Sequence, residues 1–297
     1  MNFKISFLFA LFLLIPILFS FACSKKEKQE NISSAANKSS ATNELPKSDI
    51  KSGGFEGNLP SGFQPPNEAV GKKILKEYGA LFVAKGGAVP PISVIFKNEE
   101  EVSAFQSGLP KSNEKIGGIN IELQTAAMNA LRTAIDEAKQ ANLNITPRGN
   151  DAARRTYTGT VELWASRVNP GLAHWVENGS LTQAEANRIK SLAPFEQVSE
   201  IFKLEEQGMY FAKDLSKSIM YSVAPPGTSQ HLSMLAFDVS EHDNPKVREI
   251  LARHGWFQTV VSDLPHFTYL GVTENELSKL GLKKVSDSGR TYWTPSI

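Results

Sequence analysis

The order of the predicted elements indicates an α+β fold for this chain. Segments with helical periodicity come first, and short segments with alternating apolar side chains follow them towards the C-terminus. Leu235, Phe237 and Val239 alternate with Ala236 and Asp238, which predicts a strand with one apolar face. The longest helical pattern comprises Leu123, Ala127, Leu131, Ile135 and Ala138. Because the strands follow the helices, we expect a small antiparallel sheet flanked by helices.

The composition allows a large core and excludes some functions. The 297 residues are 41% hydrophobic and carry a formal net charge of +1. No basic run is interleaved with aromatic residues, so we expect no nucleic-acid partner. The single cysteine, Cys23, excludes thiolate zinc sites and a cysteine nucleophile in the folded domain.

The N-terminus has the pattern of a secretory signal peptide. Lys4 precedes an apolar run over residues 5–22, and a small residue then stands directly before Cys23. This arrangement predicts a signal peptide over residues 1–22 and a lipid anchor on Cys23, and hence a lipoprotein of the bacterial cell envelope, exposed to the periplasm or the cell exterior. A membrane anchor and a plain signal peptide are the alternatives. Ser24 would fit release towards an outer membrane.

Residues 23–67 are predicted to be a disordered tether, and residues 68–297 the folded domain. The tether is rich in Lys, Glu, Asn, Ser, Gly and Pro and has few large apolar residues. Residues 68–120 are interpreted as an N-terminal addition without visible chemistry. It should contain a helix over residues 70–78, strands over residues 80–83 and 92–96, and a helix capped by Asn98 and Glu101.

Residues 156–207 are predicted to be a helical insertion of three helices. Asn169-Pro170-Gly171 should break the first helix, and Thr182 with Glu185 forms a capping box for the second. A strand over residues 219–223 should follow. A helix beginning at Pro245 is then expected after the cap residue Asn244.

Two short stretches within about forty residues, 227–238 and 263–266, together contain two histidines and two acids. Catalytic zinc takes three protein ligands, often two His and one carboxylate, and an acid beside them can accept a proton from water. We assign His231, Asp238 and His266 to the metal and Asp263 to the proton. An unbroken strand would place His231 and Asp238 on opposite faces, so a turn is expected between them. Pro265 favours a turn that leads into a strand from His266.

The motif Ser229-x-His231-x-x-x-x-Ala236-x-Asp238, followed by Asp263-x-x-His266, resembles that of the VanY-type zinc D-alanyl-D-alanine carboxypeptidases. Their pattern is Ser-x-His-x-x-Gly-x-Ala-x-Asp and then Glu-x-x-His. The resemblance covers residues 123–270, interrupted by the helical insertion. It implies the small sheet shared with the hedgehog signalling domain, a Zn²⁺ cofactor held by the same three ligands, and a catalytic acid at Asp263.

The resemblance also implies a substrate-contacting arginine from a Tyr-Arg-Ser-like segment. The best match is Thr146-Pro147-Arg148-Gly149, which makes Arg148 the candidate, with a surface arginine in a loop as the alternative. Arg154 and Arg155 are expected on the solvated face of the next helix. Ser229 is a candidate for substrate contact.

Two residues depart from the family pattern. Met234 stands in place of glycine, so the loop between the ligands should not adopt a positive φ cheaply. Asp263 stands in place of glutamate and is one methylene shorter, which affects its reach to a water molecule.

The sequence thus favours a zinc peptidase acting on peptidoglycan stem peptides, most simply a D-alanyl-D-alanine carboxypeptidase. A peptidoglycan endopeptidase is equally compatible with the residues. A non-catalytic, zinc-containing wall-binding lipoprotein and a metal-free interaction module are the other two hypotheses.

Overall fold

The structure, a computed structural model, describes Leu45 and residues 49–297. The predicted signal peptide (residues 1–22), the lipidation site Cys23 and the first part of the predicted tether lie outside the described residues. No helix within the described part is long and apolar enough to cross a membrane.

The folded domain begins earlier than predicted, because part of the expected tether (23–67) is packed. Helix α1 (Gly54–Asn58) buries Phe55 and Asn58. The Asn58 side-chain amide donates hydrogen bonds to the carbonyl oxygens of Lys51 and Gly54. Gly281 packs so closely against α1 that a Cβ atom on it would lie 1.9 Å from the Phe55 backbone nitrogen. One aromatic side chain therefore anchors a segment whose overall composition is that of a tether.

Residues 68–120 form two of the predicted helices and neither predicted strand. Helix α2 (Ala69–Tyr78) is confirmed, and α3 (Glu99–Ser107) starts at Asn98, whose side chain accepts from the Glu101 backbone nitrogen at 2.9 Å. Gly79–Val83 is a fully buried 3₁₀ helix. Residues 92–96 make only an isolated bridge from Ser93 to Gln64. The continuous apolar run of residues 80–83 reflects burial in the core, whereas in residues 92–96 Val94 is buried and Ile92 is 49% exposed.

A hairpin precedes the long helix and was not predicted. Strands β1 (Lys111–Ile116) and β2 (Ile119–Gln124) pair antiparallel around Gly117 and Gly118, which both have positive φ. Helix α4 (Thr125–Gln140) follows directly. Leu123 thus belongs to β2, although it fits the helical period of α4.

The helical insertion has three helices, as predicted: α5 (Tyr157–Glu177), α6 (Gln183–Lys190) and α7 (Glu196–Glu206). The capping box of Thr182 and Glu185 is confirmed. The predicted break at Pro170 is wrong, since α5 continues through it. Gly171 packs against the ring of Phe211, so closely that a Cβ would lie 2.4 Å from it. This packing stabilises α5 despite the missing backbone donor of the proline.

A three-stranded antiparallel sheet carries the motif residues. Its strands are β3 (Ala236–Asp238), β4 (Trp256–Phe257) and β5 (His266–Tyr269), in the order β3-β5-β4. Helix α8 (Pro245–Arg253) starts after Asn244 as predicted. Ile219–Tyr221 is a 3₁₀ helix rather than a strand. Helix α9 (Glu274–Leu277) and the hairpin of β6 (Leu282–Asp287) and β7 (Arg290–Pro295) complete the chain. The fold is α+β, as predicted.

Candidate metal centre

Strand register places Asp238 beside His266. The two residues are direct partners in the antiparallel pair of β3 and β5, so their side chains leave the same face of the sheet. The Nδ1 atom of His266 lies 3.1 Å from Oδ1 of Asp238. The prediction of a strand at each residue therefore accounts for this half of the site.

His231 reaches the same carboxylate from the loop before β3. It lies in a short 3₁₀ helix, Gln230–Ser233, and its Nε2 is 3.3 Å from Oδ1 of Asp238. Met234 ends this helix with a φ of 58°, which is the conformation that glycine would provide. A left-handed residue costs about 1–2 kcal/mol, whereas complete burial of a methionine side chain contributes about 1.5–3 kcal/mol. Since Met234 is fully buried, its packing offsets the strain.

Hydrogen bonds on the far side of each imidazole fix its tautomer. Nδ1 of His231 lies 2.7 Å from the Ala153 carbonyl oxygen, and Nε2 of His266 lies 2.9 Å from Oε1 of Gln230. The Gln230 amide is oriented by its Nε2, which donates to the Tyr78 carbonyl oxygen at 2.8 Å. Both acceptors are oxygens, so the histidine nitrogens facing them carry protons. The lone pairs of the other two nitrogens therefore face Asp238.

Three electron-pair donors thus converge, and their spacing fits a metal ion. Each ligand atom of His231, Asp238 and His266 lies within 4.8 Å of the others. Two ligands bound tetrahedrally to zinc at ordinary distances are about 3.3 Å apart, which matches the separations of 3.1 and 3.3 Å from Asp238. In the described part of the chain, this is the one group of three His, Cys, Asp or Glu side chains with such a geometry.

Electrostatics keep these ligands in the protonation states that metal binding needs. Burial, together with the nearby Arg155 charge, lowers the pKa of His231 below its ordinary value despite the attraction of Asp238. Burial opposes ionisation of Asp238, but the proximity of His231 and then of His266 outweighs burial and lowers the pKa of the carboxyl group. A neutral imidazole and an ionised carboxylate are the forms that bind a cation.

A cavity of about 260 Å³ opens beside the three ligands. His231, His266, Ser229 and Asp263 all line it, so the structure brings these predicted residues together. Asp263 is half-buried in the turn before β5, and its carboxylate makes no hydrogen bond to another described residue. The oxygens of Asp263 are therefore available to a molecule in the cavity.

The structure places Arg155, and not Arg148, at this cavity. The Arg148 backbone nitrogen donates to the Asp238 carbonyl oxygen at 2.9 Å, but the residue is exposed and does not line the cavity. Arg155 was expected on a solvated face, yet its side chain is 15% exposed and lines the cavity wall. Its Nη1 is 3.4 Å from Ser229 Oγ, and its Nη2 is 3.3 Å from the Asp151 carboxylate. Its buried Nε has no hydrogen-bond partner among the described residues.

Two of these functional contacts were missed by the sequence analysis. Arg155 precedes α5 and has no local pattern that distinguishes it from its neighbour Arg154, which pairs with Glu122 outside the cavity. Gln230 stands between two motif residues, but nothing in the sequence indicates that its side chain reaches His266. His242, which is near Asp238 in the sequence and is therefore an alternative candidate ligand, lies apart from the three ligands and beside Asp243.

Comparisons with solved structures find partial similarity to two chains. No protein-family profile matches the chain, and no curated protein matches it. The structure of VanYB in complex with D-alanine-D-alanine covers 54% of this chain and 77% of its own, with 18% identity and a TM-score of 0.32. A mutant of the vancomycin resistance D,D-pentapeptidase VanY from the VanB-type cassette, in complex with Zn(II), gives 16% identity, coverages of 54% and 78%, and a TM-score of 0.31. Likeness at this level carries no functional argument, which rests instead on the side chains of the site.

Proposed function

We propose that this protein is a zinc-dependent peptidase of peptidoglycan stem peptides, most simply a D-alanyl-D-alanine carboxypeptidase. The observation that carries the proposal is the arrangement around one cavity. His231 and His266 of the three-residue donor set, the hydrogen-bond-free carboxylate of Asp263 and the guanidinium of Arg155 with its partnerless Nε all belong to side chains that line it. Metal-assisted amide hydrolysis requires these three kinds of group.

His231, Asp238 and His266 would hold the zinc ion. When bound, zinc supplies a Lewis acid that polarises the scissile carbonyl and acidifies water. The chain buries both histidines and directs their free lone pairs towards Asp238, so the ligand atoms are already oriented. Ala153 and Gln230 hold the rings in this orientation before any ion binds.

Asp263 would act as the general base and then as the general acid. Its carboxylate would accept a proton from the attacking water and pass that proton to the departing amine. Arg155 would bind an oxygen of the substrate, its terminal carboxylate or its scissile carbonyl, through Nε and a neighbouring N–H. Ser229, which contacts Arg155, would line the same position and needs no nucleophilic role.

The substrate class rests on the motif resemblance, and the cellular location on the N-terminal sequence. A protein lipidated on Cys23 in a bacterial envelope would meet peptidoglycan, with its residues after Cys23 joining the lipid to the domain. Metabolic labelling with a fatty acid would test this location. The label should be present in the wild-type chain and lost in Cys23→Ser.

The activity is tested with a defined muropeptide that carries a pentapeptide stem. The chain from residue 24 onward, loaded with zinc, should remove one terminal alanine, and a chelator should stop the reaction. Mass spectrometry identifies the product. An internal cut would replace the carboxypeptidase with an endopeptidase, and an intact substrate in the presence of one bound zinc per chain would favour a wall-binding protein.

We expect Asp263 to be required for turnover but not for zinc binding. Asp263→Asn should lower kcat by about 10²–10⁴-fold, the usual contribution of a general base, while the zinc content stays at one per chain. Asp263→Glu, which restores the acid of the resembling family, should keep activity. Equal activity of Asp263→Asn and wild type would contradict the assigned role.

A further inference from the structure

One wall of the cavity comes from the helical insertion rather than from the metal-bearing sheet. Thr160, Leu163 and Arg167 lie at positions i, i+3 and i+7 of α5, and all three line the cavity. This spacing places them on one face of the helix. The hydroxyl of Thr160 accepts a hydrogen bond from the Gly227 nitrogen at 3.1 Å, which ties α5 to the loop that leads into the metal motif. The wall is therefore fixed relative to the ligands.

The guanidinium of Arg167 is held in place by neutral partners. Its Nε donates to Ser222 Oγ at 2.7 Å, and its Nη1 donates to Ser166 Oγ at 2.9 Å. Ser222 also lines the cavity. Among the described residues, no carboxylate forms an ion pair with Arg167, and Nη2 makes no hydrogen bond. A positive charge thus faces the cavity with its direction set and without a counter-charge.

The other charges around the cavity do not compensate Arg167. Asp151 is paired with Arg155, and Asp263 is the acid assigned to proton transfer. The Arg155 backbone nitrogen donates to the His231 carbonyl oxygen, and its Nη1 lies 3.4 Å from Ser229 Oγ, so Arg155 serves the part of the cavity next to His231. Arg167 is therefore available to bind an anionic group on a molecule that extends away from the metal ligands.

The helix geometry gives the position of that group. Tyr157, the first residue of α5, follows Arg155 by two positions, and Arg167 lies ten residues further on, about 15 Å along the helix axis. An extended peptide covers this distance in about four to five residues. Because both arginines line the cavity, a substrate with its terminal carboxylate near Arg155 would present a residue on the acyl side of the scissile bond to Arg167.

We infer that Arg167 is a specificity-determining residue that selects peptides with a second carboxylate, on a side chain one or two residues before the terminal pair. The inference rests on the proposed function for the direction of the peptide. A guanidinium already oriented by Ser166 and Ser222 loses little freedom on binding, and its pairing with a carboxylate is charge-assisted.

The test compares matched peptides on matched variants. Two pairs of acylated peptides ending in D-Ala-D-Ala carry Glu or Gln at the first or second position before that terminal pair. Binding is measured by calorimetry on the chelator-treated chain from residue 24 onward, and kcat and KM are measured on the zinc-loaded chain. The variants are wild type, Arg167→Gln and Arg188→Gln. Arg188 belongs to the same insertion, pairs with Glu200 and lies outside the cavity.

For at least one of the two peptide pairs, the Kd and KM of the wild type should be about tenfold or more lower for the Glu peptide than for the Gln peptide. Arg167→Gln should remove this preference by raising Kd and KM for the Glu peptide about tenfold or more, whereas Arg188→Gln should keep the preference. Equal binding of Glu and Gln peptides by wild type, a preference that survives Arg167→Gln, or no binding of any peptide would overturn the inference. A preference that depends on Arg167 in the absence of any hydrolysis would support the inference and overturn the proposed peptidase.

Discussion

Two sides of the cavity differ in how completely hydrogen bonds satisfy their polar groups. We call the side formed by the candidate ligands His231 and His266 the floor, and the side that carries Arg155 and Arg167 the wall. On the floor, the side chains of His231 and His266 are 3% and 4% exposed, and each ring donates to a protein oxygen. On the wall, Arg155 has a buried nitrogen without a partner, and Arg167 has no counter-charge among the described residues.

This difference separates two tasks. Imidazole rings that are hydrogen-bonded at one nitrogen and keep a free lone pair on the other can bind a small ion with little rearrangement. Groups with unused donors cost free energy until a ligand supplies the acceptors, so they bind a molecule that comes and goes. The floor thus has the properties expected of the proposed metal site, and the wall those expected of the proposed substrate site.

The largest expected effect is the loss of metal binding when a floor ligand is removed. His266→Ala should weaken zinc affinity by more than about 100-fold, because the loss of outer-shell partners alone costs about 10–100-fold. Competition with a chelating dye measures the change. His254→Ala is the matched control, since His254 is bound to Glu137 at the end of α8 and should keep full zinc affinity. Zinc retained in His266→Ala would disprove the ligand set.

A smaller effect is expected when the floor loses an orienting contact instead of a ligand. Gln230→Leu removes the acceptor of His266 Nε2 and should lower zinc affinity by about 10–100-fold. It also leaves the Tyr78 carbonyl without its donor, which should lower the free energy of unfolding by about 1–3 kcal/mol.

Gln230→Glu separates these two consequences. An ionised glutamate keeps an acceptor for His266 but has no donor for the Tyr78 carbonyl. We therefore expect zinc affinity near that of the wild type together with reduced stability in thermal unfolding. Equal zinc affinities of the Leu and Glu variants would show that Gln230 does not orient His266.

The smallest expected effect is a shift in the pH at which the floor releases zinc. Burial lowers the folded-state pKa of His231, so its imidazole stays neutral to a lower pH than a free histidine, whose pKa is about 6.5. Zinc should therefore stay bound as the pH falls through 6.5 and be released only below it. In the metal-free protein, the unfolded state binds more protons in this window, so stability should fall as the pH drops from about 6.5 towards the folded-state pKa. A dye titration that shows half-release above pH 6.5 would contradict this sign.

Some parts of the site could be predicted because the signal is local. Alternation along residues 235–239 and the turn at Pro265 were enough to place Asp238 and His266 on strands, and antiparallel register then made them neighbours. The helix caps at Asn98, Thr182 and Asn244 were also confirmed, since a cap involves side chains only two or three residues away.

Other predictions failed where distant contacts decide the outcome. Residues 80–83 are continuously apolar and residues 219–223 alternate, but neither segment pairs with a strand among the described residues, and both form 3₁₀ helices at least in part. Pro170 would break an isolated helix, but the packing of Gly171 on Phe211 keeps α5 intact. Met234 takes a positive φ because its side chain is completely buried.

Sequence patterns alone predict the fold class and the candidate donor set of His231, Asp238 and His266, because periodicity and motif spacing are properties of residues close together in the chain. Tertiary contacts fix which nitrogen of each histidine is free and which arginine faces the cavity. The acceptors that fix the two tautomers lie 78 and 36 positions away along the chain, at Ala153 and Gln230. Arg148 and Arg155 are chemically identical, and only the path of the folded backbone places one in solvent and the other beside the metal ligands.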